Sequence, residues 1–318
     1  MGVGVIAHVP NPSFEVVRSL ARAAEAAGAD WLGLPDAFWW RDTWLLLAET
    51  TRVTERIEIG PLVTNPYLRH PFHTLAALAS LQDLAGDRVF LGLGAGGSEV
   101  SGAAGVSRRD AADRVRSLVS LLRRVAEGQP LDPGSGRRLE IRLAPAPVLV
   151  AGRGDGILRA AGACADRALL WAIPHSDLTR SAALVSAGAT ESGESPAREP
   201  EIIWAPLVDH GGQSRERVRA IAAYSVLNSH ASLQARWGLQ AAQVAELRRL
   251  LVGGGAAAAQ DLVPAAALDD LIIQDARPAA VGAVAATLGA TSMAVPAFAL
   301  DDLAERVAWA REVLAAAG

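Results

Sequence analysis

Eight short apolar runs without polar alternation, each followed by a helix-like stretch, restrict this chain more than any other feature. The runs begin near Val3, Trp31, Ile57, Val89, Val148, Ala168, Ile202 and Met293. Between and after them, helices are predicted over Ser13–Ala27, Thr43–Thr54, His70–Ala85, Asp110–Glu127, Gly156–Ala165, Asp177–Ala187, Arg215–Ser232 and Asp301–Ala316. Ser13 supplies a start for the first helix and Gly28 its stop, and Pro71 fits a first helical turn, where a missing N–H costs nothing. A strand with no polar face is buried on both sides, as in a parallel sheet covered by helices. Eight βα units in 318 residues fit a single α/β domain over 1–318, a (β/α)8 or TIM barrel. The rival is an open doubly wound sheet, which requires one or two of these strands to be misread.

Two segments depart from the rhythm. Ser186–Pro200, rich in Ser, Gly and Glu, reads as an exposed loop. Leu233–Leu271, broken at Gly253–Gly255, is a helical insertion before the last strand, either covering an active site or decorating the surface. Ala279–Leu300 carries no charge and is long enough to span a bilayer. Its Ala, Gly and Val content, with breaks at Gly289 and Pro296, predicts instead a small-residue helix, a turn and a buried strand.

Composition narrows the functions open to such a fold. A net charge of −4 without a basic cluster argues against nucleic acid as a partner. A lone cysteine, Cys164, excludes a disulfide framework or a cysteine-based zinc site and suits a reducing cytoplasm; no metal centre is expected. All 30 basic residues are arginine, which excludes a Walker A loop, a pyridoxal phosphate Schiff base and a lysine-based aldolase. Tryptophan outnumbers tyrosine and phenylalanine together, 8 against 7, which suggests pocket walls more than an aliphatic core.

The active site of such a barrel is built at the C-terminal ends of its strands. Those ends carry His8, Asp36 with Trp39 and Trp40, Thr64 and Asn65, the turn Gly92–Gly97, the turn Gly152–Gly156, His175, and Asp209 with His210. The Gly152–Gly156 turn leaves a strand and opens a helix. It either cradles a phosphate on its backbone amides or is a tight turn with glycines at positive φ. Trp39, Trp40, Trp171 and Trp204 lie in or near the ends of strands two, six and seven. They wall an apolar pocket for an aromatic or polyene-like substrate, or pack between barrel and helices.

Val63-Thr-Asn-Pro-Tyr-Leu-Arg-His-Pro-Phe72, running into Leu78–Gly96, resembles the luciferase-like monooxygenase superfamily, in particular the branch of the deazaflavin-dependent methylenetetrahydromethanopterin reductases. Asp36 followed by Arg41-Asp42, and Pro147–Leu158 running into Ala160–Asp166, carry the same resemblance. It covers the first 175 residues well and the remainder through element order. It implies a barrel with an insertion before its last strand, holding coenzyme F-420 (an 8-hydroxy-5-deazaflavin) or FMN. By position, Gly152, Arg153, Gly154, Asp155 and Gly156 would cradle the cofactor phosphate. Leu62, Val63, Thr64 and Asn65 would pack behind its ring, with a non-prolyl cis peptide expected at Leu62–Val63. Gly94, Ala95 and Gly96 complete the expected cofactor wall.

The chain departs from the pattern at Ala37, where many deazaflavin-dependent relatives have histidine. It departs again at Gly97, where sugar-phosphate dehydrogenases of the superfamily carry glutamate; here Glu99 follows two residues on. Proton transfer then falls to His8, Asp36 or His175, each of which could instead make a structural hydrogen bond. With no lysine, cofactor anions would meet arginine such as Arg69 or Arg153, unless these sit in surface salt bridges. The implied function is F-420-dependent hydride transfer to or from a small apolar or aromatic substrate. The alternatives are an FMN-dependent two-component monooxygenase that draws reduced flavin from a separate reductase and uses O2, and a flavin-binding barrel without turnover. A homo-oligomer, a dimer, is the expected assembly.

Overall fold

In the computed structural model, which describes residues 2–191, 199–210, 212–253, 256–298 and 300–318, the apolar runs form strands within two residues of the predicted starts. They are β1 (Val3–Ala7), β2 (Trp31–Leu34), β3 (Glu58–Pro61), β4 (Leu91–Gly94), β5 (Val148–Ala151), β6 (Arg167–Trp171) and β7 (Glu201–Ala205). After the short strands β8 (Leu207–Val208) and β9 (Ile272–Ile273), β10 (Ser292–Ala297) completes the series. The main sheet has 8 strands, all parallel, in the order β3-β2-β1-β10-β7-β6-β5-β4. Parallel bridges Ile59–Val89 and Thr64–Leu93 join its two ends, so the sheet closes into a (β/α)8 barrel and the open-sheet alternative falls. Glycine makes that seam possible. A Cβ on Gly60 would lie 2.4 Å from the Phe90 carbonyl oxygen, and one on Gly92 would lie 2.0 Å from that of Pro61.

Both faces of each strand are buried, which is why the runs lack polar alternation. Ile6, Trp31, Leu62, Phe90, Leu149, Leu169, Ile203 and Ala294 fill the barrel interior. Their neighbours on the opposite face, such as Val3, Val5, Leu32 and Val150, pack under the helices. Helix Phe14–Ala26 is capped by Ser13, whose hydroxyl accepts from the Val16 N–H at 3.2 Å, and Gly28 ends it at φ 77°. In helix Pro71–Ala85 the His70 imidazole caps the start by accepting from the Phe72 N–H at 3.2 Å.

The insertion forms helices Ala231–Arg236, Ala241–Val252, Ala256–Gln260 and Ala265–Leu271. With helix Gly212–Leu227 they enclose a second apolar cluster around Val226, Leu247 and Leu271. The two-residue ladder between β8 and β9, which the sequence did not announce, ties this insertion to the barrel. Gly254 and Gly255 of the predicted break lie outside the described residues. The apolar stretch near the C-terminus is helix Pro278–Thr287, a turn at Gly289 with φ 63°, and β10. Among the described residues no helix is long and apolar enough to cross a membrane. One boundary needs correction. The predicted loop from Ser186 is helical as far as Glu191, because Val185 and Ala189 are buried on the helix face that packs inward; residues 192–198 lie outside the described residues.

Candidate active site

The C-terminal mouth of the barrel gathers side chains from distant strands. At the end of β1, the His8 N–H donates to the Ala297 carbonyl at 3.0 Å. Its imidazole stacks on Trp171 at the end of β6, with ring centroids 6.3 Å apart and planes 15° from parallel. Phe298, after β10, meets His8 edge-on at 5.5 Å. Trp171 lies partly buried against the barrel-interior cluster together with Val63 and Ala151. Its carbonyl accepts from Arg153 Nε at 3.2 Å, so the aromatic pair and the Gly152–Gly156 turn belong to one constellation. The residue after Trp171 holds an uncommon conformation: Ala172 has φ 47°, its N–H donates to Ala205 O at 3.2 Å, and its carbonyl accepts from the buried Ser225 hydroxyl at 2.5 Å. Such a φ costs a non-glycine residue on the order of 1 kcal/mol and persists where surrounding bonds enforce it. Here it orients Trp171.

Charge at the mouth is unevenly compensated. Burial pushes the His8 imidazole below its ordinary range, its own backbone hydrogen bond opposes the fall, and the Arg217 charge adds to it, so His8 is neutral near pH 7. Burial alone pushes Arg153 down to about 10, and no carboxylate among the described residues pairs with it. Arg108, after β4, donates to the Gly96 carbonyl at 2.9 Å; it too is depressed by burial and has no carboxylate among the described residues.

The Gly152–Gly156 turn does not use positive φ; Gly154 sits at φ −79° and ψ 144° as the N-cap of helix Asp155–Cys164, with no side-chain cap. Gly152 is required sterically, since a Cβ there would lie 2.2 Å from Ile157 Cγ2. Gly154 is not: a Cβ there would meet nothing within 4 Å. As an N-cap, Gly154 is at a position that favours glycine, and it leaves the helix N-terminus open to an anion. Gly156 is exposed and borders only Ala112, 3.5 Å from an added Cβ. The Asp155 carboxylate is turned to Arg180 Nη1 at 2.9 Å and His230 Nε2 at 3.3 Å, which leaves its backbone amide as its expected part in a phosphate cradle.

On the opposite wall, the Leu62–Val63 peptide is cis, at the expected position. The Thr64 N–H donates to Gly92 O at 3.0 Å, and its carbonyl accepts from the Gly94 N–H at 3.1 Å. A Cβ on Gly94 would lie 2.7 Å from Ala151 O and 2.8 Å from Val63 Cγ2, so this wall depends on backbone contact. The Asn65 carboxamide accepts from the Tyr67 and Leu68 N–H groups and holds the turn, while Gly96, at φ 69°, places an added Cβ 3.6 Å from Asn65. Ala95 is half-buried between them. Thr64 Oγ1 and the Tyr67 hydroxyl are buried without a hydrogen bond of ordinary geometry to the protein.

Asp36 lines a cavity of about 380 Å³ with Trp40, Thr64, Asn65, Arg69 and His73. Burial raises its carboxyl above the usual range, with Asp42 adding to the rise and the Thr64 hydroxyl and Arg69 opposing it. For three residues the structure selects between the readings the sequence left open. Arg69 is paired with Asp42 at 2.5 Å and is not a free anion receptor. Trp39 is 45% exposed against Phe38 at the outer lip, because the turn after Ala37 swings it outward; only Trp40 lines the cavity. Trp204 is 1% exposed and faces the helices, because its position in β7 alternates with the inward Ile203 and Ala205.

His175 opens helix His175–Glu191 and lines a different cavity of about 470 Å³ with Ile272, Gln274 and Val281. Burial lowers its pKa and Asp270 partly restores it. Of the three candidate proton donors, His175 and Asp36 line different cavities, and His8 follows β1, the strand paired with β2, which precedes Asp36. Phe298, Arg108 and Arg217 are the mouth residues that the sequence did not single out, and no local motif marks them.

A family model for luciferase-like monooxygenases matches residues 1–283. The chain belongs to that family. It is an oxidoreductase. It is 25% identical over 254 residues, covering 77% of this chain and 76% of the relative, to a 5,10-methylenetetrahydromethanopterin reductase of Archaeoglobus fulgidus. It is 31% identical over 216 residues, covering 61% of this chain and 59% of the relative, to an F-420-dependent hydroxymycolic acid dehydrogenase of Mycobacterium tuberculosis. In fold it is similar to the coenzyme F-420-dependent tetrahydromethanopterin reductase of Methanopyrus kandleri, with TM-score 0.79 and 20% identity over 99% of this chain and 98% of that one.

Proposed function

We propose that this luciferase-like protein is an F-420-dependent oxidoreductase that acts on a small organic substrate held at the barrel mouth. The observation that carries the reading is the pair of half-buried guanidinium groups, Arg108 and Arg153, on turns that follow two paired strands and have no carboxylate among the described residues. An uncompensated buried cation costs stability and is retained where a ligand neutralises it. A phosphodiester followed by carboxylates, as in F-420, spreads negative charge over such a pair; a single terminal phosphate, as in FMN, occupies one. Likeness to relatives described as F-420-dependent supports the same choice.

In this reading Arg153 and the amides of Gly154, Asp155 and Gly156 hold the phosphate. The backbone of Val63, Thr64 and Asn65, with Gly94, Ala95 and Gly96, backs the ring. When bound, the deazaflavin supplies a hydride donor or acceptor carbon. The chain's own work is orientation, exclusion of water by Trp171, Val63 and Ala151, and movement of one proton at His8. His8 is neutral near pH 7 and accepts a proton from a substrate being oxidised. The rate in that direction is expected to hold to below pH 6.5 and to fall once the depressed His8 pKa is crossed, because protonation removes the acceptor.

Purified protein titrated with each cofactor is expected to bind F-420 at micromolar concentration and FMN far more weakly. His8→Ala is expected to lower turnover about 100-fold, within the usual range for acid–base groups, with F-420 affinity nearly unchanged. Uptake of O2 that depends on reduced FMN and substrate would replace this reading with the two-component monooxygenase, served by a separate reductase. Tight F-420 binding with no turnover of any alcohol, imine or alkene tested would point to the binding barrel.

A further inference from the structure

Phe298 stands between two guanidinium groups that are treated differently. Arg306 lies 5.3 Å from the ring centroid, is 4% exposed, and is neutralised by Asp302 through an Nε–Oδ2 contact of 2.7 Å. Arg217, in helix Gly212–Leu227, lies 5.9 Å from the same centroid and donates Nη1 to the Phe298 carbonyl. It is half-buried and has no carboxylate among the described residues. Arginine carries five N–H donors in a planar fork, and among the described residues the Phe298 carbonyl takes one from Arg217. The side chain is held by the ring and the carbonyl, beside His8, which touches the same ring at 5.5 Å. It stands on the β10 and β1 side of the mouth, whereas Arg108 and Arg153 follow β4 and β5. The cofactor anions assigned above do not account for it.

We infer that Arg217 anchors the substrate through an oxyanion, a carboxylate or a phosphate, and sets the reacting carbon beside His8 and Trp171. The inference rests on the reading of the mouth as the active site, and it names the substrate class: small molecules with an apolar or aromatic body and one anionic end. Phe298 supports this arrangement by fixing the guanidinium plane, so that a bidentate pair forms with little ordering cost. A neutral substrate would leave the Arg217 charge half-buried and unpaired.

The test uses benzoate, phenyl phosphate and benzyl alcohol as probes, with calorimetry on the full chain, with and without F-420. Benzoate or phenyl phosphate is expected to bind wild type at least tenfold more tightly than benzyl alcohol, and whichever anion binds better identifies the oxyanion. Arg217→Gln is expected to remove that preference and leave F-420 affinity within about twofold, while Arg217→Lys keeps part of it because the charge remains. Nuclear magnetic resonance titration of His8 supplies a readout that a merely structural role would not move. The His8 pKa should rise in Arg217→Gln, where the neighbouring cation is lost, and should rise in wild type when benzoate binds.

Equal binding of anionic and neutral probes by wild type would overturn the inference. So would a tenfold loss of F-420 affinity in Arg217→Gln, which would give the guanidinium to the cofactor. If wild type fails to bind F-420 but still discriminates the anions through Arg217, the anion site stands and the proposed cofactor falls.

Discussion

Arg153→Met is expected to weaken F-420 binding by about 30-fold or more while leaving the protein without cofactor as stable as wild type, or more stable. The two effects have one cause. Burial with no compensating carboxylate pushes the Arg153 pKa down to about 10. A base whose folded pKa lies below its unfolded value opposes folding throughout the range below the folded pKa, and that penalty fades only as pH rises toward the unfolded value. At pH 7 the charge is therefore a cost to the protein without cofactor, and methionine removes it. In the complex the sign reverses, because truncating one partner of a desolvated charge pair costs about 2–5 kcal/mol. Isothermal titration and a thermal melt of the same two proteins read both quantities. A variant that loses Tm and keeps its cofactor affinity would make Arg153 a structural residue and remove the observation on which the proposed function rests.

Gly162→Ala is expected to destabilise the fold by about 2 kcal/mol, although alanine is the better helix former by about 1 kcal/mol. Helix Asp155–Cys164 packs backbone to backbone on helix His175–Glu191. A Cβ on Gly162 would lie 1.9 Å from the Val185 carbonyl oxygen and 2.7 Å from the Ala189 nitrogen, while one on Gly188 would lie 2.0 Å from Arg159 O. The obstacle is main chain on both sides, so the helices must separate, and overpacking of this kind costs about 1–3 kcal/mol and occasionally more. The same helix presents Gly154 to the mouth, so its displacement would also loosen the phosphate turn. Gly154→Ala is the matched control: its added Cβ meets nothing within 4 Å, and its φ of −79° suits alanine. It should melt with wild type and bind F-420 less tightly. A Gly162→Ala melt within about 1 °C of wild type would show that the helix pair yields without loss, since at this size ~1 kcal/mol moves Tm by a few degrees.

The two substitutions separate what each glycine is for. Gly162 and Gly188 let two helices touch, and Gly60 and Gly92 let the barrel close; all four are explained by protein atoms alone. At Gly154 no protein atom bars a side chain, and the neighbouring Arg153 has no carboxylate partner among the described residues.

Element order was legible in the sequence because strands buried on both faces leave uninterrupted apolar runs, and helices packed on one face leave a 3.6-residue period. Both are local signals. So were Ser13 as a cap, the Gly152–Gly156 turn and the placing of His8 and Trp171 at strand ends. Resemblance carried the cis peptide at Leu62–Val63, since no local pattern encodes it. What the sequence did not determine is which of its 30 arginines is left without a carboxylate. Arg69 and Arg153 look equally eligible along the chain, yet one is paired with Asp42 and the other, among the described residues, donates to a carbonyl and meets no carboxylate. Arg217 finds its place through Phe298, 81 residues away, and Arg167 finds Glu58 across 109. Likewise Trp171 and Trp204 both lie at or next to the ends of apolar strands, but the alternation of faces in the closed sheet sends one to the mouth and the other under the helices. Periodicity reports which residues are buried; charge compensation depends on distances between side chains far apart in sequence, and only barrel closure sets those distances.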